Sequence, residues 1–344
     1  MEIALPLGII AVASIAIYFI GERFALASSR LGDHLKMPRS VKGATFDAIA
    51  SSLPELLVAL FAVIFFNSFE IGIGTIAGSA LFNLLIIPGI GVLVAPVAFR
   101  VTRRVVNRDA MFYVLSVFML VVVTLYFKVW GLIIAFILLG AYALYLKVIL
   151  NHVKKDREKF EPEHKDVNVK KELFAISGTI ILIGVVTYFL TDASIDFAAA
   201  IGVSPIIVAF ILTAAATSVP DTVISVANAK KGDIDDAASN VFGSNTFDIL
   251  VGLGLPLLIY TLINGPVHID FQNLEILFGL LGATIVVLLF LAEDHVLEKS
   301  RGIAMLVLYG VFIAYIVLLA LHPDEQYVPT ITVDNSLSYF NQTY

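Results

Sequence analysis

Ten runs of apolar residues, each about long enough to cross a bilayer, take up most of this 344-residue chain. They fall near 4–24, 43–66, 71–98, 109–127, 129–150, 173–191, 201–228, 237–263, 272–292 and 302–321. A spanning helix needs about 20 apolar residues. Inside lipid the backbone can satisfy its own polar groups only as a helix or a closed barrel, and runs of this length dictate helices. Composition agrees: 59% hydrophobic, 15% charged and a mean hydropathy of +0.94, where a soluble domain has roughly 45–50% apolar and about 25% charged residues. The expected fold is an all-α integral membrane protein with ten transmembrane helices. There is no cysteine, which excludes thiolate metal ligation and disulfides, and the six histidines form no HExxH or paired spacing. Glu2 with no basic n-region argues against a cleaved signal peptide, so the first run is expected to be retained.

The basic residues set an orientation. With the N-terminus outside, odd-numbered connections face the cytoplasm. They hold Arg23, Arg30, Lys36, Arg39 and Lys42, then Arg100, Arg103, Arg104 and Arg108, then eight lysines and arginines from Lys147 to Lys171, then Lys230, Lys231, Lys299 and Arg301. That is 21 of the 22 basic residues, with only Lys128 on the other side. Such an imbalance is the positive-inside pattern, and it supports the ten-span count independently of hydropathy. The Arg100 to Arg108 cluster is read as a topology signal or a lipid contact. A multi-pass plasma-membrane protein with both termini outside is expected.

Residues 151–172 are the one long polar break before the tail, mixing both charge signs around Pro162, and read as a solvated cytoplasmic linker. They separate a first five-helix unit, 1–150, from a second, 173–322; residues 323–344 read as an extracellular polar tail, whose Asn341-Gln-Thr343 triplet is a chance sequon match. Because five is odd, the second unit would enter the membrane from the opposite side, giving two inverted repeats.

Two segments, degenerate copies of each other, place a carboxylate deep in hydrocarbon. ASSLPELLVAL carries Glu55 after Pro54, and AATSVPDTVISV carries Asp221 after Pro220. Each is followed by a Gly-Ser segment, GSALFN at 78–83 and GSNTFD at 243–248; Ser79 lies 24 residues beyond Glu55, and Ser244 lies 23 beyond Asp221. An intramembrane acid is costly and by default functional. Pro54 and Pro220 remove a backbone donor and bare carbonyls one turn earlier. Small residues at Ala48, Ala50, Ser51, Ser52, Ala214, Ala216, Thr217 and Ser218 let other helices approach. Ser79 and Asn83 share a helical face, as do Ser244 and Asp248. Gly78 and Gly243 permit close approach or local unwinding, and Pro88 and Pro256 are expected to break their helices. The product is a pocket of hydroxyls, carbonyls and acids suited to hard cations: calcium takes about six to eight oxygens, and two carboxylates balance one divalent charge. Serines, threonines and glycines in membrane helices commonly serve packing alone; the repeated acids do not fit that reading. Asp47, near the cytoplasmic end of the second run, reads equally as a snorkelling interfacial acid or a site residue.

At these residues the chain resembles the cation/calcium exchanger superfamily, whose inverted repeats centre on motifs like G-T-S-L-P-E and G-S-N-I-F-N/D, most clearly over 43–89 and 205–256. SVPD in place of SLPE, together with Asp248, is similar to the potassium-dependent sodium/calcium branch. Ala50 and Asp47 depart from the family pattern, which usually has Gly and an apolar residue there. The resemblance implies a sodium/calcium antiporter, with potassium as an optional companion of calcium, and no cofactor beyond the transported ions. It implies calcium held by Glu55 and Asp221 with backbone carbonyls at Ser51 and Thr217. One sodium site would take Ala48, Ser52 and Ser244, the symmetric one Ala214, Ser218 and Ser79, with Asn83 and Asp248 near the centre. Spans one and six would slide against a fixed core. A calcium/proton antiporter on the same fold stays open, since all three acids can exchange protons. A channel and an intramembrane aspartyl protease are remote: the protease would pair two Asp, one in a GxGD motif, whereas here one partner is Glu. No enzyme activity, protein partner or nucleic-acid binding is expected.

Overall fold

The computed structural model describes residues 3–37, 39–156, 167–269, 273–292 and 294–321. The middle of the expected linker, 157–166, and the expected tail with its sequon lie outside the described residues. Among the described residues eight helices are long and apolar enough to cross a membrane, and there are up to ten spans when each of two bent helix pairs is counted as one. In chain order, spans 1 to 10 are Ala4–His34; Gly43–Ser51 with Leu53–Ile64; Phe69–Val94; Arg103–Tyr126; Leu132–Asn151; Val169–Ile201; Pro205–Thr217 with Val219–Lys231; Ile234–Asn264; Leu274–Ala292; and Lys299–Leu321.

Helices overrun several of the expected boundaries. Span 1 continues to His34, so Arg23 and Arg30 lie on a helix rather than in a connection. The helix containing span 5 continues to Asp156 and span 6 begins at Val169, so both ends of the expected linker are helical. A hydropathy run ends where charge begins, but a backbone already nucleated continues at little cost into water.

Spans 2 and 7 share one irregular form. Each has a π-helical turn, Gly43–Asp47 or Ala209–Thr213, then a short α-helical turn. Each then breaks at a serine with ψ near zero, Ser52 (φ −85°, ψ 3°) or Ser218 (φ −76°, ψ 2°). The proline two residues on starts the next helix at its first turn, where its missing N–H costs nothing, and the halves meet at 47° and 45°. Pro88 and Pro256, expected as breaks, instead lie inside the continuous helices Phe69–Val94 and Ile234–Asn264. A proline in mid-helix forfeits one hydrogen bond, which a long packed span tolerates; Pro54 and Pro220 differ in following a serine that has already left helical geometry.

Two short antiparallel ladders tie the connections: β1 (Phe99–Arg100) with β4 (Val296–Leu297), and β2 (Val129–Trp130) with β3 (Val267–His268). With each bent pair counted as one span, the first joins the third and ninth connections and the second the fourth and eighth, so odd pairs with odd and even with even. Spans 3 and 8 are the interior of the molecule, 72% and 56% buried, whereas spans 1, 6 and 10 are 28%, 22% and 11% buried. Apolar side chains on the outer spans, such as Phe19, Phe174 and Ile181, face outward, as expected where the surroundings are lipid.

The close approaches at Gly78 and Gly243 are real, with no unwinding. A Cβ on Gly243 would lie 2.8 Å from the Ala44 Cα of span 2, and one on Gly78 would lie 2.7 Å from the Ala214 Cβ of span 7. These crossings bring spans 8 and 3 onto the π turns of spans 2 and 7.

Candidate functional site

The two serine breaks face each other at the centre of the four-helix contact among spans 2, 3, 7 and 8. Glu55, Asp221 and Asp248 converge there, all fully buried. Glu55 sits in the first turn of Leu53–Ile64, where its Oε1 accepts from Ser79 Oγ (3.3 Å) and Ser218 Oγ (3.4 Å). Asp221 occupies the matching turn of Val219–Lys231 and accepts from Ser51 Oγ, Asn83 Nδ2 (2.9 Å) and Asn240 Nδ2 (3.5 Å). Asp248 Oδ2 accepts from Ser79 Oγ at 3.3 Å. Each repeated acid is therefore held by hydroxyls or amides from the opposite half of the chain as well as its own neighbourhood.

Ser79 is the hub. Its hydroxyl lies 2.9 Å from Ser218 Oγ and 3.4 Å from Asn83 Nδ2, besides touching Glu55 and Asp248. On the other side Ser52 Oγ donates to the Ser244 carbonyl at 3.4 Å. The Ala48 and Ala214 carbonyls already receive the Ser52 and Ser218 amides, at 3.0 and 2.9 Å, and the Ser51 and Thr217 hydroxyls turn back on them. The structure thus brings together Ser79 with Ser218 and Ser52 with Ser244. Thr217 Oγ1 and Ser244 Oγ bond carbonyls of their own helices.

Orphaned acceptors gather in this centre: Glu55 Oε2, Asp248 Oδ1, Asn83 Oδ1 and Asn240 Oδ1 are buried with no hydrogen-bond partner. Buried polar groups are ordinarily paired, so a cluster of unpaired acceptors needs explaining. Among the described residues, none of the three acids is in an ion pair. Two carboxylate oxygens and two amide oxygens without donors form a chemistry that a hard cation satisfies and a neutral or anionic ligand does not. Three acidic or histidine side chains close enough to hold an ion by themselves do not occur among the described residues, so hydroxyls, amides and carbonyls would share in any coordination.

Asn240 and Ser225 join the site although sequence reasoning overlooked them. Asn240 Nδ2 bridges Asp221 and Ser225 Oγ (2.9 Å). Their signal was spacing: Asn240 precedes Ser244 by four residues and Ser225 follows Asp221 by four, each on the face of a named site residue. Asp47 is only 2% exposed with Oδ1 unpartnered, so it does not snorkel to an interface. Arg108 is no lipid contact either. It is 4% exposed and forks onto Asp109 at 2.6 and 2.7 Å, and Tyr145 and Ser239 also donate to Asp109. This pins spans 4, 5 and 8 together at the end where span 4 begins.

The sequence profile described as "sodium/calcium exchanger protein" matches residues 5–151 and 171–318, most of the chain. The chain belongs to the sodium/calcium exchanger protein family. Solved structures of the sodium-calcium exchanger NCX_Mj share the exchanger fold: one soaked with 2.5 mM Na+ and 10 mM Sr2+ gives a TM-score of 0.66 at 26% identity, covering 91% of this chain and 99% of that one. An uncharacterized membrane protein of Methanocaldococcus jannaschii is 27% identical over 313 residues, 90% of this chain and 97% of its own length. Sodium/potassium/calcium exchanger 1 of Bos taurus is 37% identical over 158 residues, 43% of this chain and only 13% of that much longer protein. Family and fold together mark a multi-pass membrane transporter.

Proposed function

We propose that this exchanger is a secondary antiporter in which sodium entering the cell drives calcium out, both ions competing for the oxygens around Glu55, Asp221 and Asp248. The observation that carries this reading is the set of buried acceptors without donors around unpaired carboxyl groups. Holding such charges in hydrocarbon without a counter-ion is strongly unfavourable. The empty carrier therefore resists reorientation, and that resistance couples the two fluxes. Glu55 and Asp221 with the Ser51 and Thr217 carbonyls hold calcium; Ala48, Ser52 and Ser244, and Ala214, Ser218 and Ser79, flank it for sodium.

The two halves, 1–150 and 173–322, are read as inverted five-helix repeats. The matched breaks of spans 2 and 7 support this, as do the ladders, since exchanging the halves turns the pairing of connections three and nine into that of eight and four. Spans 1 and 6 are read as the sliding element. They pack along each other, share an ion pair from Arg30 to Glu172 at 3.3 Å, and meet the rest across an apolar seam that includes Ile10, Ile17 and Leu190, distinct from the main core. The protein is placed in the plasma membrane with both termini outside. Potassium moving with calcium is the finer reading. Asp248 stands where the first half has Asn83, adding a charge that a further monovalent cation balances, and several relatives are named sodium/potassium/calcium exchangers.

The test is calcium uptake into proteoliposomes. A sodium gradient is expected to drive it, Glu55→Gln and Asp221→Asn to abolish it, and potassium to stimulate it. Retained flux in both variants would sink the site assignment. The same three acids suit proton exchange, so uptake driven by a pH gradient and not by sodium would replace sodium with protons as the coupling ion.

A further inference from the structure

Spans 1 and 6 end in the same way, 166 residues apart, the offset that also separates Glu55 from Asp221 and one π turn from the other. After span 1 the Lys36 amide bonds the Asp33 carbonyl (2.9 Å) and the Met37 amide the Gly32 carbonyl (3.2 Å). After span 6 the Gly202 amide bonds the Ala199 carbonyl (3.3 Å) and the Val203 amide the Ala198 carbonyl (3.1 Å). Both turns pass through the left-handed region, at Lys36 (φ 54°) and Gly202 (φ 72°). Glycine adopts that conformation freely, whereas a lysine there is uncommon and is held by its surroundings. These turns are the joints that connect spans 1 and 6 to spans 2 and 7. The basic residues assign the first to the cytoplasmic face, which leaves the second on the outer face.

The two joints differ in what crosses them. At the first, Lys42 Nζ, just before span 2, reaches back to Asp33 Oδ1 at 3.5 Å and donates to Ser29 Oγ at 3.0 Å. Ser28 Oγ donates to the Phe46 carbonyl at 3.2 Å. The Lys42 stem lies across Gly32, where a Cβ would come within 2.9 Å of Lys42 Cγ. Asp33 and Lys42 are 1% and 5% exposed, so the pair is shut away from water. Asp47 on span 2 interacts electrostatically with both partners and with Lys231 at the end of span 7, so charges from three spans meet there. At the second joint, the residues 166 positions beyond Asp33, Lys42 and Ser29 are Ala199, Val208 and Ile195, which cannot form an ion pair. Of this set only Ser28 has a polar mate, Ser194, which accepts from Thr213 at 2.8 Å.

We propose that the buried Asp33–Lys42 pair is a latch on the cytoplasmic joint: span 1 slides against span 2 only when the pair parts, while the outer joint at Gly202 flexes unlatched. Parting two buried charges is costly until water reaches them. The barrier to sliding therefore lies on the cytoplasmic side, and the carrier at rest keeps that side shut. The Arg30–Glu172 pair joins the two sliding spans to each other and stays intact throughout. This rests on the sliding of spans 1 and 6 and on the orientation proposed above.

The test uses the full chain in proteoliposomes, with the maximal rate of sodium-driven calcium uptake as the readout. Lys42→Met and Asp33→Asn are each expected to raise that rate about 10-fold, and the double variant to gain no more than either, because both remove one contact. The double variant, which leaves no lone charge, serves if a single one does not yield folded carrier. Because the chain has no cysteine, Gly32→Cys with Lys42→Cys supplies a covalent latch that can be switched. The 2.9 Å approach puts the two Cβ atoms within about 4.5 Å, which a disulfide spans. Oxidation is expected to stop uptake, and reduction to restore it to above the wild-type rate. Unchanged, lowered or additive rates in the substitution variants, with uptake still stopped by oxidation, would overturn the latch and leave the sliding of span 1 standing. Uptake that persists through the disulfide would overturn the sliding itself, and wild-type vesicles without sodium-driven calcium flux would overturn the antiport reading.

Discussion

Gly243 offers a direct test of how tightly the helix crossing sets the site. A Cβ placed there would lie 2.8, 2.9 and 3.1 Å from the Cα, carbonyl oxygen and carbonyl carbon of Ala44. Carbon atoms rest at about 3.5–4.0 Å, so Gly243→Ala forces spans 2 and 8 apart by roughly 0.7 Å, and the obstacle is backbone that no rotamer change can move. Such overpacking costs about 1–3 kcal/mol, offset by up to about 1 kcal/mol from removing a glycine within a helix. The displacement falls where it matters. Span 8 carries both the Ser244 carbonyl and Asp248, whose contacts with Ser52 and Ser79 already stand at 3.4 and 3.3 Å; a further shift takes both beyond hydrogen-bonding range. The overpacking is read as a lowered melting temperature, while the two displaced contacts, at about 0.5–1.5 kcal/mol each, together lower apparent calcium affinity by about 5–150-fold. Gly178→Ala in span 6 is the control, because nothing lies within 4 Å of its Cβ. The assay is the calcium dependence of uptake, with thermal stability of the purified protein alongside. Wild-type KM and stability in Gly243→Ala would refute the claim that this crossing fixes the site.

Three further outcomes follow from the same geometry. Asp109→Ala leaves the buried Arg108 without its carboxylate and should destabilise by about 3–5 kcal/mol, read as a lowered melting temperature, whereas Tyr145→Phe, losing one 3.2 Å hydrogen bond to Asp109, should cost only about 1 kcal/mol. Pro88→Ala should leave transport intact and not lower thermal stability, because the helix already runs through that position; lost transport would show that Pro88 does more than occupy a turn. Asp248→Asn, which makes the second half match Asn83 of the first, should remove potassium stimulation while sodium-driven calcium uptake persists in the flux assay.

Much of the site was legible because the chain states it twice. The serine-proline-acid segments and the Gly-Ser segments repeat at nearly constant spacing, and Glu55, Asp221, Asp248, Ser79 and Asn83 do meet. The misreadings share one cause. Pro88 and Pro256 carry the same side chain as Pro54 and Pro220, but whether a proline breaks a helix depends on the residues before it and on its packing. For Asp47 and Arg108, distance along the chain from a charged connection leaves an interfacial acid and a lipid contact open; what buries them is the arrival of helices from elsewhere, since span 8 lies against the turn bearing Asp47 and supplies Ser239 to the Arg108–Asp109 pair.

The sequence by itself determined the helical class, the placement of the apolar spans and the acids within them, because hydropathy and helical period act over one or two turns of a single segment. Only the tertiary structure decided that Ser79 is the hub, that Asn240 and Ser225 join the site, and that Asp47 stands buried without a donor. Those facts depend on how helices cross, and the decisive contacts join residues 138 to 170 positions apart. The register of such contacts is set by close backbone approaches at Gly78 and Gly243, and no local pattern in the chain encodes it.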